Sequence, residues 1–151
     1  MRIASALAPL LLAACAAQGP GQTEQRAEQQ RMTELNLREL WQIQATTSDR
    51  LELARAEAEL GSRDQLAVQG AYLGRRTLAA AGRSRYRRGP TDPEIDVFQC
   101  DDFLTDAAAQ VEFLGAGGPR VDRHGLDPDG DGLACDWAGT LRQAVTLAQR
   151  S

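Results

Sequence analysis

The chain has 151 residues, of which 42% are hydrophobic, 25% are charged and only 5% are aromatic. This length is enough for one modest domain, or for a smaller domain with an extended appendage, and it argues against a large enzyme core. The formal net charge is -4, and all 17 basic residues are arginine, which we attribute to genomic base composition rather than to chemistry.

The first 14 residues have the layout of a secretory signal peptide: one basic residue, an apolar stretch, and small residues before Cys15. The apolar stretch is too short to span a bilayer. Residues 12–15, LAAC, resemble the lipobox of bacterial lipoproteins, which implies that Cys15 is lipid-modified and becomes the N-terminus. An ordinary signal peptide with a chance cysteine is the alternative. Both interpretations predict export. An aspartate directly after the anchor cysteine resembles an inner-membrane retention signal in some bacteria. Ala16 occupies that position here, so we expect a lipid anchor in the outer membrane, facing the periplasm.

Export determines how the other two cysteines are interpreted. With Cys15 lipidated, Cys100 and Cys135 are left together in an oxidising compartment, where a disulfide is the default expectation. Zinc binding is the alternative role for two thiols. A structural zinc site needs four cysteine or histidine ligands, and two cysteines with one distant histidine do not supply them.

Charge divides the remainder of the chain into two parts. Residues 23–89 contain 12 arginines and 9 acidic residues, whereas residues 90–151 contain 4 arginines and 12 acidic residues. The C-terminal part therefore suits a cation better than nucleic acid. Between the anchor and the first helix, residues 15–22 are small and polar and predict a flexible tether.

Residues 23–89 predict two or three helical segments followed by a basic linker. Good helix formers favour one helix from Thr23 to about Ala45. Asp49 is then expected to cap a new helix, with Glu52 completing a capping box, and Gly61 to end it.

Ser62 with Gln65 repeats the same start signal and predicts a further helix. Residues 75–88 contain six arginines. Such a run can hold anionic lipid, peptidoglycan carboxylates or nucleic acid, or it can be a solvated linker that interacts with the acidic part of the chain. We favour the linker, because nothing here has the spacing of a nucleic-acid module.

Residues 126–137, LDPDGDGLACDW, place acidic side chains at alternate positions. Calcium takes six to eight oxygen ligands, so a site in one short loop needs inward carboxylates at every second residue and a tight turn. Asp127, Asp129 and Asp131 have this alternation, and Gly132 lies where an EF-hand loop has its turning glycine. Leu133 would then offer a backbone carbonyl.

The loop departs from an EF-hand after this point, because Ala138 stands where a bidentate glutamate is needed. The block CDDFLTDAAAQVEFL starts at Cys100, and the aspartate-rich loop with its glycine is followed by Cys135 and Asp136. These two blocks of the sequence resemble the excalibur family, which is named for an extracellular calcium-binding region. The two blocks cover about the last third of the chain.

The resemblance implies that Asp127, Asp129, Asp131 and Asp136 are calcium ligands and that Cys100 and Cys135 are paired. The family usually has glutamate after the second cysteine, and Asp136 is one methylene shorter. Asp136 could instead be the N-cap of the helix that follows.

The segments flanking the loop predict two short helices packed face to face. Asp101 can cap a helix whose apolar residues recur at helical spacing up to Gly115, and a second stripe begins at Trp137. The predicted fold is mainly α, with N-terminal helical segments and a small C-terminal helix–loop–helix calcium-binding domain, residues 97–151, closed by one disulfide.

Three further residues are weaker candidates. His124 is expected to be an exposed loop residue, Asp101 and Asp102 to be helix-start residues, and Asp122 to lean toward the ion through water. No nucleophile and base pair is recognisable, so we expect no enzymatic activity of the chain itself. The predicted function is calcium binding by an envelope lipoprotein with an unknown partner. The alternative is an accessory or remnant module of a secreted calcium-dependent hydrolase.

Overall fold

The computed structural model describes residues 21–87 and 97–150. The predicted signal peptide, the anchor at Cys15, most of the tether and the end of the basic run lie outside the described residues.

Within these ranges the chain forms five α-helices and one two-stranded antiparallel sheet, which confirms the predicted mainly α class. In the sheet, Ala67 pairs with Tyr72 and Val68 with Ala71. In chain order the elements are α1 (Gln22–Glu34), α2 (Leu37–Thr46), α3 (Arg50–Ser62), β1 (Ala67–Val68), β2 (Ala71–Tyr72), α4 (Asp106–Gly115) and α5 (Trp137–Ala148). Single turns of 3₁₀ helix occur at Leu78–Ala80, Cys100–Asp102 and Gly118–Arg120.

The predicted first helix is in fact two helices. The backbone turns extended at Leu35 and Asn36, and the Asn36 side chain accepts a hydrogen bond from the N–H of Glu39 while the Glu39 carboxylate accepts one from Asn36. This reciprocal capping box satisfies N–H groups that a helix start would leave without partners. The asparagine followed three residues later by glutamate was the missed signal.

The start of α3 agrees with the prediction and the segment after it does not. Asp49 caps α3 by accepting hydrogen bonds from the N–H groups of Leu51 and Glu52. The Glu52 carboxylate does not complete a capping box with Asp49; it accepts from the Thr47 hydroxyl. No helix starts at Ser62. The chain enters the β1–β2 hairpin instead.

The helix before the acidic loop begins later than predicted. Thr105 caps α4 by accepting from the N–H of Ala108, whereas Asp101 lies in the preceding single turn. The prediction that Asp101 caps this helix is wrong. α4 ends at Gly115, as expected.

Trp137, the first residue of α5, joins the two parts of the chain. Its side chain is fully buried in a core cluster that includes Met32, Leu40 and Leu60 from the first three helices and Leu141 from α5. A smaller cluster joins Ala58 of α3 to Phe113 and Leu114 of α4. The described parts of residues 23–89 and 97–151 therefore share their hydrophobic cores.

A polar contact also crosses between the two parts. Arg26 of α1 donates two hydrogen bonds to the Glu112 carboxylate of α4, at 2.7 and 2.8 Å. These bonds lower the pKa of Glu112 below its ordinary value, against the opposing effect of its partial burial.

None of the helices in the described ranges has the length and apolar character needed to cross a membrane.

The close approach of α3 to α5 depends on a glycine. A Cβ at Gly61 would lie on the Trp137 ring, 2.9 Å from Cζ3, and 3.2 Å from the Ala107 Cβ. The fully buried ring cannot move into solvent to relieve this contact.

We expect Gly61→Ala to lower the free energy of unfolding by about 1–3 kcal/mol in urea denaturation, because overpacking outweighs alanine's better helix propensity. Gly21→Ala, with no atom within 4 Å of the added Cβ, should cost less than Gly61→Ala, about 0.5 kcal/mol, because alanine is a poorer N-cap of α1 than glycine. Equal effects would contradict this packing.

Glu57 of α3 is a fully buried carboxyl group. Its Oε1 accepts hydrogen bonds from the Gly74 N–H at 3.0 Å and from the Gln44 amide at 3.4 Å. Burial raises the pKa of Glu57 above its ordinary value, although these bonds, one from Thr77 and the charge of Arg76 oppose the increase. The folded state therefore holds this proton more tightly than the unfolded state does.

This raised pKa makes a pH dependence testable. The stability contributed by protonated Glu57 is complete below the unfolded pKa and is lost as pH rises through the folded pKa. We expect urea denaturation to show Glu57→Gln gaining stability relative to the wild-type chain as the pH is raised above the ordinary pKa of glutamate, because glutamine stays neutral without a proton. The exposed Glu34→Gln substitution should show no such trend. A pH-independent difference for Glu57→Gln would contradict the assignment.

Candidate metal centre

The acidic loop, residues 126–135, is closed at its base by two links. The Cys135 N–H donates to the Leu126 carbonyl at 2.8 Å. Cys100 and Cys135 form a disulfide with a Cα–Cα distance of 5.7 Å, which confirms the predicted pairing. Because the sulfur atoms are bonded to each other, they are not available as the thiolate ligands of a zinc site.

Asp127 organises the interior of the loop. Its side chain is fully buried, and Oδ1 accepts hydrogen bonds from the N–H groups of Gly130 and Asp131 at 3.0 and 3.1 Å. Oδ2 accepts from the Gly132 N–H at 2.9 Å. Gly130 and Gly132 have φ values of 74° and 92°, a backbone conformation that glycine adopts without steric cost.

The other two predicted acids lie beside Asp127. Asp129 is exposed, and its Oδ1 accepts from the Asp131 N–H at 3.2 Å. Asp131 is 6% exposed, and its Oδ1 accepts from the Leu133 N–H at 2.8 Å. One carboxylate oxygen from each of Asp127, Asp129 and Asp131 lies within 4.8 Å of the others. We call these three residues the acidic cluster.

Asp136, the fourth predicted ligand, is placed elsewhere. It is the N-cap of α5, and its Oδ1 accepts from the Gly139 N–H at 3.2 Å. Its own N–H donates to Asp106 of α4 at 3.1 Å. The structure therefore gives Asp136 the capping role that was the alternative to metal ligation. Among residues 21–87 and 97–150, the acids brought together with the spacing of a metal site are those of the acidic cluster.

Asp122 and His124 are both buried beside the acidic loop. Asp122 is buried, and its carboxylate accepts hydrogen bonds from the N–H groups of Leu126 and Asp127, so it supports the start of the acidic loop. The prediction that His124 is exposed is wrong, since it is 5% exposed. Its ring lies edge-on to Phe98, and its Nε2 lies 3.6 Å from a Glu112 oxygen.

Gln110 of α4 supports the acidic loop from one side. It is fully buried, donates to the Gly132 carbonyl at 3.1 Å and accepts from the Ala134 N–H at 2.6 Å. Sequence reasoning missed this residue. The signal in the sequence was its position. Gln110 lies three residues after Ala107, so its amide falls on the otherwise apolar face of the helix.

The strap, residues 82–86, supports the acidic loop from another side. The Gly82 N–H donates to Asp131 Oδ2 at 2.6 Å, and the N–H groups of Arg85 and Tyr86 donate to the Gly130 carbonyl at 2.8 and 3.1 Å. The basic run thus meets the acidic loop through backbone groups, which arginine content alone could not reveal.

The acidic cluster has the chemistry of a hard-cation site. Like charges held close together repel, and the N–H groups around the carboxylates offset part of this repulsion. A divalent cation would offset more of it. Carboxylate and carbonyl oxygens suit calcium, magnesium or manganese, and the absence of nitrogen and sulfur donors from the cluster disfavours zinc and copper.

Comparison of this chain with protein-family models, with curated proteins and with solved structures found no match. The excalibur resemblance therefore stays a prediction that rests on the two sequence blocks.

The disulfide is expected to supply a large part of the chain's stability. It links residues 35 positions apart, and closing a loop of this size is worth roughly 3–4 kcal/mol in the chain-entropy model. Replacing Cys100 and Cys135 together by serine should therefore lower the free energy of unfolding by about 2–4 kcal/mol in urea denaturation. Adding reductant should destabilise the wild-type chain by a similar amount and leave the double variant unchanged. Equal stability of the oxidised chain and the double variant would contradict this role.

Proposed function

We propose that the acidic cluster binds calcium and that the chain is a calcium-binding module of the cell envelope. The observation that carries the proposal is the convergence of the three carboxylates, with one oxygen of each within 4.8 Å of the others. Asp127, Asp129 and Asp131 would supply carboxylate oxygens and Leu133 its backbone carbonyl.

Calcium fits this donor set better than magnesium does. The donors come from one short loop whose backbone limits where each oxygen can lie, and calcium accepts variable geometry with six to eight oxygens, whereas magnesium demands a near-ideal octahedron. The cluster and one carbonyl leave several positions for water. We therefore expect an affinity typical of extracellular calcium modules, with Kd roughly 10⁻⁴ to 10⁻³ M.

Binding, rather than catalysis, is the role that the surroundings of the cluster favour. Backbone N–H groups already hold the carboxylates of the cluster in place. The chain's single histidine, His124, lies against Phe98 and Glu112. These features suit an ion that stabilises the folded state by binding it alone. The lipid anchor at Cys15, predicted from the lipobox resemblance, would place this module at the membrane.

Calorimetric titration of the full chain with calcium tests the proposal. Asp129→Asn keeps an oxygen that can accept the Asp131 N–H but removes one charge, and we expect calcium affinity to fall about tenfold or more. Asp136→Asn is the matched control, because asparagine is an equally good N-cap, and it should leave the affinity unchanged.

Three outcomes are informative. Binding that is weakened only by Asp129→Asn supports the acidic cluster as the site. Equal weakening by both substitutions would return Asp136 to the ligand set. Absence of binding to the folded wild-type chain at millimolar calcium would refute the proposed function.

A further inference from the structure

A cavity of about 330 Å³ lies beside the acidic cluster, between the start of α3, the single turn at Leu78–Ala80, the strap and the acidic loop. We call it the loop cavity. Its volume is at the lower end of the roughly 300–1,000 Å³ of small-molecule sites. Buried Leu53, Leu114 and Leu133 contribute apolar surface, and the half-buried Tyr86 ring forms part of the wall.

Gly132 brings the acidic loop against this wall. A Cβ at Gly132 would lie 3.0 Å from a ring carbon of Tyr86, so the glycine permits the ring to pack directly on the loop backbone. The same two residues line the cavity, together with Asp131. The wall of the loop cavity and the acidic cluster are therefore parts of one structure.

The charges at the loop cavity are unequal. Exposed Arg50, Arg76 and Arg85 line it, against the carboxylates of Asp49 and Asp131. Arg76 donates to the Thr47 carbonyl at 2.6 Å and to the Gln44 carbonyl, which hold its guanidinium at the end of α2.

Both carboxylates are already engaged. Asp49 accepts the N–H groups of Leu51 and Glu52 as the cap of α3. Asp131 belongs to the acidic cluster and lines the cavity, so a bound calcium ion would offset two of the cluster's three negative charges beside the cavity. The arginines would then dominate the local potential, which favours an anion.

We propose that the loop cavity binds a small organic acid with a compact apolar body, and that calcium at the acidic cluster strengthens this binding. The apolar walls and Tyr86 would receive the body, and the arginines would receive the acidic group. The calcium dependence rests on the proposed function, whereas the cavity and its arginines do not.

The test is calorimetry of the full chain with 1-naphthoate, and with 1-naphthylmethylamine as a probe of similar body and opposite charge. We expect 1-naphthoate to bind, and to bind about 3-fold to 10-fold more tightly when calcium is present at saturating concentration. The amine should bind more weakly, and calcium should weaken it further.

Two substitutions locate the site. Ala79 is exposed and lines the loop cavity, so Ala79→Phe should fill the cavity and abolish 1-naphthoate binding while leaving calcium binding unchanged. Arg85→Gln should weaken 1-naphthoate, whereas Arg83→Gln, on the same strap but not lining the cavity, should have no effect. In Asp129→Asn, 1-naphthoate should still bind but should lose its response to calcium.

The outcomes separate this inference from the proposed function. Calcium binding without 1-naphthoate binding, or 1-naphthoate binding that survives Ala79→Phe, would overturn the loop cavity as a ligand site and leave the proposed function intact. Binding of 1-naphthoate that requires Arg85 and an open cavity but ignores calcium would overturn the coupling. An equal affinity for the amine would overturn the charge selectivity.

Discussion

The buried carboxylate of Asp127 is the constraint on which the acidic loop depends. An ionised carboxylate away from water is costly unless hydrogen bonds compensate it, and here N–H groups of Gly130, Asp131 and Gly132 do so. To point these groups inward, the chain must turn sharply twice, at Gly130 and Gly132. The same turns bring Asp129 and Asp131 beside Asp127. The compensation of one buried charge therefore assembles the cluster that we propose as a calcium site.

The remainder of the fold holds this loop in position. Trp137 packs beside Gly61 and fixes the end of the loop against α3, while Gln110 bonds to the loop backbone from α4. The disulfide closes the base, and the strap bonds to Asp131 and to the Gly130 carbonyl. A loop supported on several sides loses less conformational entropy when it binds an ion. The small number of protein ligands in the acidic cluster therefore lowers its calcium affinity less than it would in a flexible loop.

Local sequence patterns predicted the features that depend on near neighbours. The alternation of Asp127, Asp129 and Asp131 predicted a cluster because neighbouring residues of one turn must meet, and Asp49 predicted a helix start through its own side chain. The disulfide followed from export and cysteine number. Each of these required only composition or a few consecutive residues.

Tertiary contacts decided the features that the sequence did not predict. His124 is buried because Phe98 and Glu112 cover it, and neither contact has a local signal. Ser62 and Gln65 carry a helix-start pattern, but the chain after α3 forms a hairpin that places Leu73 in the core beside α5. The strap reaches the loop through backbone N–H groups, which no side-chain pattern encodes. The sequence alone also left open whether Asp136 ligates a metal or caps α5, because the answer depends on where α5 begins and lies.

A calcium titration of the full chain followed by ¹H–¹⁵N correlation NMR would locate the bound ion residue by residue. Binding at the acidic cluster predicts the largest amide shifts within residues 127–133 and at Gly82, whose N–H bonds to Asp131, with small shifts at Gly139 beside the Asp136 cap. Saturation with no shift in the acidic loop, or with the largest shifts at the start of α5, would contradict it.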